Sequence, residues 1–339
     1  MDIEEYSPKS TLIVPEHTVK RSKYPFIDVH NHQFDMPIKN LPKLVSEMDS
    51  LNMAFMINLS GFRGLYLRKS LENIKKNAPT RFGLFLNIDF EDIDDKFFSE
   101  TQVALIDSAV KAGVMGLKVY KSLGLTSKDN KEARIAINDI RLDPIWKACG
   151  DNNIPVLIHS GEPASFWNPK DKFNERWLEL RQKPNRYRDP EINPSFEEVI
   201  AEQHDVFRKH PNTTFINAHL GWMGNDLDRL GEHFDLYPNV LTEIGAVLAE
   251  IGRQPIRAKQ FFTTYQDRIL FGKDSYNVSE YYTYFRVLET NDEYFEYYRK
   301  RHAHWRMYGL ALPDSVLKKL YYKNALKLFP KIDSNLFKN

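Results

Sequence analysis

FIDVHNH, residues 26–32, decides how this sequence reads. FIDVH, 26–30, is a short apolar run with strand-forming residues, and it ends in polar groups. Working outward, the same unit recurs as MAFMINL (53–59), RFGLFLNI (81–88), GVMGLKVY (113–120), IPVLIH (154–159), TTFINAH (213–219), NVLTEI (239–244) and RILFG (268–272). Helix-compatible stretches lie between, at 40–50, 64–76, 98–111, 139–152, 195–210, 223–236 and 253–264. Near-continuous apolar strands, strand first and helix second, predict a parallel sheet buried on both faces. Eight such units close most economically as a distorted (β/α)8 TIM barrel. A doubly wound sheet is the competitor, but it does not normally carry polar functional residues at six of its C-terminal strand ends.

Two stretches interrupt the rhythm. Residues 160–194, after strand five, are far longer than an ordinary βα loop. They read as a lid over the barrel mouth or as a homo-oligomer contact. Residues 275–308 are strongly aromatic, with YYTYF at 281–285 and EYFEYY at 293–298, and read as helices over the same end or against a partner. SVLKKLYYKNALKLF, 315–329, reads as a final amphipathic helix capped by Asp314. The expected organisation is an arm over 1–24, one barrel domain over 25–329 and a tail over 330–339.

Composition narrows the function classes. The 339 residues hold 47 Lys plus Arg against 46 Asp plus Glu, a net charge of +1, so no global field points to nucleic acid or an acidic membrane. At 42% hydrophobic, the chain can bury a large core. Cys149 is the single cysteine, so no internal disulfide can form. The start, MDIEEYSPKS, lacks the basic flank and apolar run of a signal peptide, and no membrane span is expected, so the cytoplasm is the default location. There is no Rossmann glycine pattern and no P-loop. Ser160 lacks a nucleophile elbow and Cys149 precedes a strand, which disfavours covalent catalysis.

The histidines carry more. Residues two apart on a strand share a face, so His30 and His32 can reach one ion at the barrel mouth. Asp28, two positions earlier, is expected on that same inward face, supporting a histidine from behind or making a structural hydrogen bond. His159 ends the fifth run, His219 the sixth, and Asp274 follows the eighth in LFGKDS. His30, His32, His159 and Asp274 suit one divalent ion, zinc first and manganese second, with a second ion less favoured. Asp274 is a candidate ligand and proton acceptor, and His219 a candidate to polarise substrate or move a proton. His17, His204, His210, His233, His302 and His304 have no comparable claim.

IDVHNH (27–32), VLIHSGEP (156–163), NAHLGW (217–222) and LFGKDS (270–275) together resemble the amidohydrolase superfamily. The resemblance is closest to its group that includes aminocarboxymuconate-semialdehyde decarboxylase and related hydrolases. It spans roughly 25–329 and implies a barrel, His30, His32 and His159 as ligands, and Asp274 as ligand or base. It implies for His219 a place beside a mononuclear metal, or at a second ion in binuclear branches. Lys118 in GLKVY corresponds either to a carboxylated bridging lysine or to a cation that binds a substrate carboxylate or oxyanion; an ion pair is the third reading. Lys121 reads as loop surface. Lys273 departs from the family's small residue before the aspartate, and the long insertion departs from compact decarboxylases.

The remaining pocket candidates are Arg63 after strand two, Glu162 after strand five, Trp222 after His219 and Glu243 at the end of strand seven, where it can pair with a histidine or lysine. Trp167, Arg176 and Trp177 join them only if the insertion folds inward. The expected substrate is a small molecule, with an anionic one favoured by Lys118 and Arg63. The first functional reading is metal-dependent hydrolysis of a C–N or C–O bond in an amide, lactone or cyclic ester. The alternative is non-oxidative decarboxylation of an aromatic or unsaturated acid. A barrel that has lost its chemistry is the third class, disfavoured by the complete ligand set.

Overall fold

A computed structural model describes residues 1–2, 5–299 and 305–338. His302 and His304 lie outside the described residues. Eight parallel strands follow in chain order around one sheet: β1 (Phe26–Asn31), β2 (Met53–Asn58), β3 (Phe82–Asn87), β4 (Gly116–Val119), β5 (Val156–Ile158), β6 (Phe215–Asn217), β7 (Val240–Glu243) and β8 (Ile269–Leu270). Helices alternate with them: α1 (Leu41–Leu51), α2 (Gly64–Asn77), α3 (Phe98–Ala112) and α4 (Asp143–Asp151) follow the first four strands. The short α5 (Trp177–Gln182) lies in the insertion, and α6 (Phe196–Lys209) and α7 (Leu227–Leu236) precede and follow β6. The pair α8 (Leu248–Gly252) and α9 (Pro255–Thr264) follows β7, and α10 (Val278–Glu289) follows β8. Among the described residues, no helix is long and apolar enough to cross a membrane.

The alternation of side chains divides the core in two. Ile27, Val29, Ile57, Phe85, Leu157, Ile216 and Leu270 face the barrel interior, while Phe26, Met56, Leu117, Val156, Phe215 and Phe271 face the helices. Phe85 fills the interior because Gly116 lacks a Cβ, which would stand 2.3 Å from its ring. The C-terminal segment plugs the end opposite the site: Phe329 lies 6.0 Å from the Phe85 ring, and Ile332 and Phe337 are buried with it.

The last helical stretch has a different form from a single capped helix. It runs as α11 (Asp314–Lys318), a π turn over Lys319–Lys323, and α12 (Asn324–Leu328). Pro313 takes the cap position, and Asp314, one residue inside, pairs instead with Lys23 at 2.6 Å. The aromatic stretch is helical only through α10. Beyond it, β9 (Phe295–Glu296) and β10 (Arg306–Met307) pair antiparallel, so 293–298 is extended rather than helical.

The seam between β1 and β8 closes through Val29 N–H to Phe271 O (3.0 Å) and Asp274 N–H to His30 O (2.7 Å). Asp28 does not share the inward face with His30. In the β1–β2 register, Asp28 pairs with Met56 and Asn31 with Asn58, three steps against two, which is a bulge. The bulge turns Asp28 out toward α10 and His30 into the mouth. Asp28 accepts from His30 N–H (3.1 Å), Lys273 N–H (3.2 Å), Asn31 Nδ2 (2.9 Å) and Tyr281 OH (2.6 Å). One buried carboxylate thus joins β1, the end of β8 and α10. Burial still pushes it up to about 6, against the pull of these donors. Lys273 also turns outward, to Glu280 at 2.5 Å and the Ser275 carbonyl.

Asp28→Ala strands those buried donors and should cost about 3 kcal/mol. The check is the denaturant midpoint of wild type and variant under the same metal loading; an unchanged midpoint would remove Asp28 from the seam.

Candidate metal centre

Strands of a parallel barrel all end at one rim, so their last side chains converge. Here β1 delivers His30 and His32, the end of β5 His159, the end of β6 His219 and the end of β8 Asp274. One ligand atom from each of His30, His219 and Asp274 lies within 4.8 Å of the others, the one such group among the described residues. His30 Nε2 stands 3.4 Å from Asp274 Oδ1, and His32 Nε2 stands 3.6 Å from the same oxygen. His159 Nδ1 is 3.4 Å from His219 Nε2. All four imidazoles and the carboxylate therefore share one space.

Their tautomers follow from what lies behind them. Glu243 Oε1 accepts from His30 Nδ1 at 2.9 Å and from the His219 backbone N–H at 2.7 Å. The Gly245 carbonyl can only accept, so His219 Nδ1, 2.7 Å away, carries its proton. Both rings thus turn an Nε2 lone pair toward Asp274 and His159. His30 Nε2 and His159 Nε2 are buried without any hydrogen-bond partner. The buried unpartnered His30 Nε2, with His219 Nε2 and the Asp274 carboxylate in the same group, makes the donor set a divalent ion satisfies. The residues fit a single mononuclear site.

The charges agree. Burial opposes ionisation of Glu243, but His30 beside it holds the carboxylate down to about 2. Burial likewise opposes ionisation of Asp274, and His30 and the other imidazoles hold it well below its ordinary value. Burial pushes His219 down to about 4, His32 to about 3 and His159 well below 6.5, so these rings are neutral and able to bind at pH 7. Burial opposes the charge on His30 too, but Glu243 and Asp274 together move its value up.

The other candidates separate. Lys118 points into the barrel, fully buried, its Nζ without a hydrogen-bond partner. Burial pushes it down to about 7. Glu243 reaches the site through His30 rather than from an open pocket, being 0% exposed. Arg63 lies half-exposed at the rim, paired with Asp89. Glu162 is buried between Lys121 Nζ (2.5 Å) and Arg188 Nη2 (3.0 Å), so Lys121 is anchored rather than loose. The Trp222 ring lies 4.6 Å from His219 and 5.6 Å from His159. In the insertion, Arg176 pairs with Glu179 and Glu250, Trp167 Nε1 donates to the Pro194 carbonyl, and Trp177 lies against Arg181.

Three residues that orient the site were not singled out from the sequence. Ser60 Oγ lies 2.7 Å from His32 Nδ1 and 3.1 Å from Tyr120 OH, and Gly245 supplies its carbonyl. Ser60 and Tyr120 follow strands β2 and β4, and that position was their only signal. Phe34 and Tyr120 stack on His32. A cavity of about 600 Å3, lined by His32, Phe34, Asp274 and Tyr276 among others, opens beside the cluster.

The sequence profile described as "Amidohydrolase" matches residues 74–331, well over half of the chain. The chain belongs to the amidohydrolase family. No curated protein matches its sequence with significance. Solved structures resemble this amidohydrolase in fold. An uncharacterised TIM-barrel protein from Bordetella bronchiseptica is 15% identical, with a TM-score of 0.55 over 90% of this chain and 98% of its own. A 2,6-dihydroxybenzoate decarboxylase is 14% identical, TM-score 0.55, over 91% and 99%. A 4-oxalomesaconate hydratase from Rhodopseudomonas palustris is 11% identical, TM-score 0.53, over 92% and 97%.

Two outcomes follow for this amidohydrolase. Glu243→Gln should weaken metal binding roughly 10–100-fold in chelator competition, because the carboxylate that orients two imidazoles is lost. The metal-free protein should lose stability as pH falls from 6.5 toward 4. In that window the unfolded chain takes up protons that buried His219 and the partly buried His32, His159, His204 and His233 refuse when folded. They outnumber Asp28 and His30, whose raised values act in the opposite sense. Denaturant midpoints across that range check the sign.

Proposed function

We propose that this chain hydrolyses a C–N or C–O bond of an amide, lactone or cyclic ester with one bound divalent ion, zinc first and manganese second. The observation that carries the reading is Asp274. It belongs to the ligand group, stays ionised, and keeps its side chain 31% exposed toward the cavity. When bound, the ion supplies Lewis acidity that polarises a carbonyl and makes water nucleophilic near neutral pH.

The residues then divide the work. His30, His219 and Asp274 form the core of the ligand group, and His32 and His159 complete its surroundings. The free Asp274 oxygen takes a proton from the attacking water. Of the facing pair His159 and His219, one binds the ion and the other carries the proton to the leaving group. Glu243 keeps His30 and His219 in register. The unpartnered Lys118 ammonium receives negative charge that develops on the substrate, or binds a substrate carboxylate. Phe34 and Tyr120 stack on His32 and fix its ring plane, Phe34 at the edge of the open cavity.

Lys118 also favours the second reading, non-oxidative decarboxylation. A buried cation suits a carboxylate, and one fold relative is a decarboxylase by name. A cytoplasmic location, a homo-oligomer and a lid role for 160–194 belong to the same proposal.

The test is a metal-loaded screen of lactones, amides and aromatic acids, with carbon dioxide followed in parallel. Hydrolysed product with about one ion per chain is the expected result. Carbon dioxide without hydrolysed product overturns it in favour of decarboxylation. In His219→Ala, loss of bound metal assigns it as a ligand, while retained metal with lost turnover assigns it the proton.

A further inference from the structure

His32 is supported differently from the other imidazoles: a chain of hydroxyls lies behind its Nδ1. Ser60 Oγ stands 2.7 Å from His32 Nδ1, Tyr120 OH stands 3.1 Å from Ser60 Oγ, and Tyr120 OH reaches the Leu59 carbonyl at 3.4 Å. Each member is held from elsewhere. Asn58 Oδ1 accepts from the backbone N–H groups of Gln33 (2.9 Å) and Ser60 (3.0 Å), which ties the segment after β1 to the segment after β2. Asn87 Nδ2 donates to the Leu59 carbonyl at 2.9 Å, and Leu59 N–H donates to the Asn31 carbonyl at 2.8 Å. The Tyr120 ring stacks against His32 with centroids 5.9 Å apart, and Lys118 Nζ lies 5.5 Å from its centre.

Each hydroxyl owns one proton, so a connected chain runs in one of two directions. In the first, His32 Nδ1–H donates to Ser60, Ser60 donates to Tyr120, and Tyr120 donates to the Leu59 carbonyl, which can only accept. In the second, Tyr120 donates to Ser60, Ser60 donates to Nδ1, and the ring proton sits on Nε2. There it faces Asp274 Oδ1 at 3.6 Å, beyond hydrogen-bond reach. The first direction gives every proton of the chain an acceptor. It also turns the Nε2 lone pair toward the side of the ring where Asp274 lies.

We propose that Ser60 and Tyr120 are positioning residues for the ion: through this chain they commit the His32 proton to Nδ1 and leave Nε2 as the binding atom. The inference rests on the reading of the strand-end cluster as a metal centre and deepens it. The chain does for His32 what Glu243 does for His30 and the Gly245 carbonyl does for His219. All three rings then offer the same nitrogen, though a carboxylate, a carbonyl and a pair of hydroxyls stand behind them.

The experiment uses the full chain as wild type, Ser60→Ala, Tyr120→Phe and the double variant. Tyr120→Phe keeps the ring against His32 and Lys118 and removes only the hydroxyl. The Ser60 proton is then free to turn to Nδ1, which reverses the chain. Zinc affinity in chelator competition should fall about tenfold in each single variant, as for other groups that orient a ligand. The double variant should match Ser60→Ala within about twofold, because both residues act through one chain. The tautomer is read separately by NMR on metal-free protein labelled at its histidine nitrogens, with the His32 signals assigned by their loss in His32→Gln. Wild type should carry the proton on Nδ1, and Tyr120→Phe should move it toward Nε2. A wild-type proton on Nε2 overturns the proposal, as do affinity losses that multiply in the double variant. Stoichiometric zinc whose affinity neither single variant changes overturns the positioning role and leaves the metal centre standing. Absence of stoichiometric zinc in wild type overturns the metal centre itself and the positioning role with it.

Discussion

A barrel works as a scaffold only if its first and last strands meet, and here one buried carboxylate holds that seam. Asp28 accepts backbone N–H groups from both sides, His30 on β1 and Lys273 beyond β8, and ties both to Tyr281 on α10. The β8 ladder is only two residues long, so the strand ladder alone contributes little there. His30 and Asp274 are 244 positions apart in sequence, and the seam makes them neighbours, with Asp274 N–H bonded to His30 O at 2.7 Å. The bulge at Asp28 has a second effect. It reverses the side-chain alternation, so the carboxylate can serve the outside of the barrel while the next histidine serves the inside.

Inside the mouth, Glu243 plays the corresponding part. It gathers His30 Nδ1, the His219 backbone and the Gly245 backbone on one carboxylate. The arrangement removes choice from the rings: with each Nδ1 proton committed, only Nε2 can face the centre. The cost is a buried negative charge, which the adjacent imidazoles offset. Lys118 is the opposite case, a buried amine with no hydrogen-bond partner, which burial pushes down to about 7. A protein tolerates both when ligands complete the site.

The rhythm of strands and helices was legible because burial on both faces demands apolar runs, and β1 to β8 fall within or close to the runs read from sequence. The strand-end positions of His30, His159, His219 and Asp274 were legible for the same reason. Three local features were not. Asp28 reads as inward by simple alternation, and only the bulge, a property of pairing with β2, reverses it. EYFEYY at 293–298 looks helical by composition but pairs partly as β9, because a distant segment supplies its partner. Asp314 looks like a cap, yet Lys23 from the N-terminal arm claims it.

The sequence by itself determined the architecture and the chemical inventory: eight parallel units, four strand-end imidazoles and one carboxylate that converge on a rim. These follow from periodicity and side-chain type, which are local. Which nitrogen faces the centre, which carboxylate supports it, and which polar atoms remain unmade were decided only by the tertiary structure. His219 shows why. Its type and strand-end position are written in the chain, but its role depends on a left-handed turn, on the Gly245 carbonyl behind its ring and on Glu243 beneath its backbone. Hydrogen bonds between residues this far apart in sequence exist only once packing has placed donor and acceptor within 3 Å.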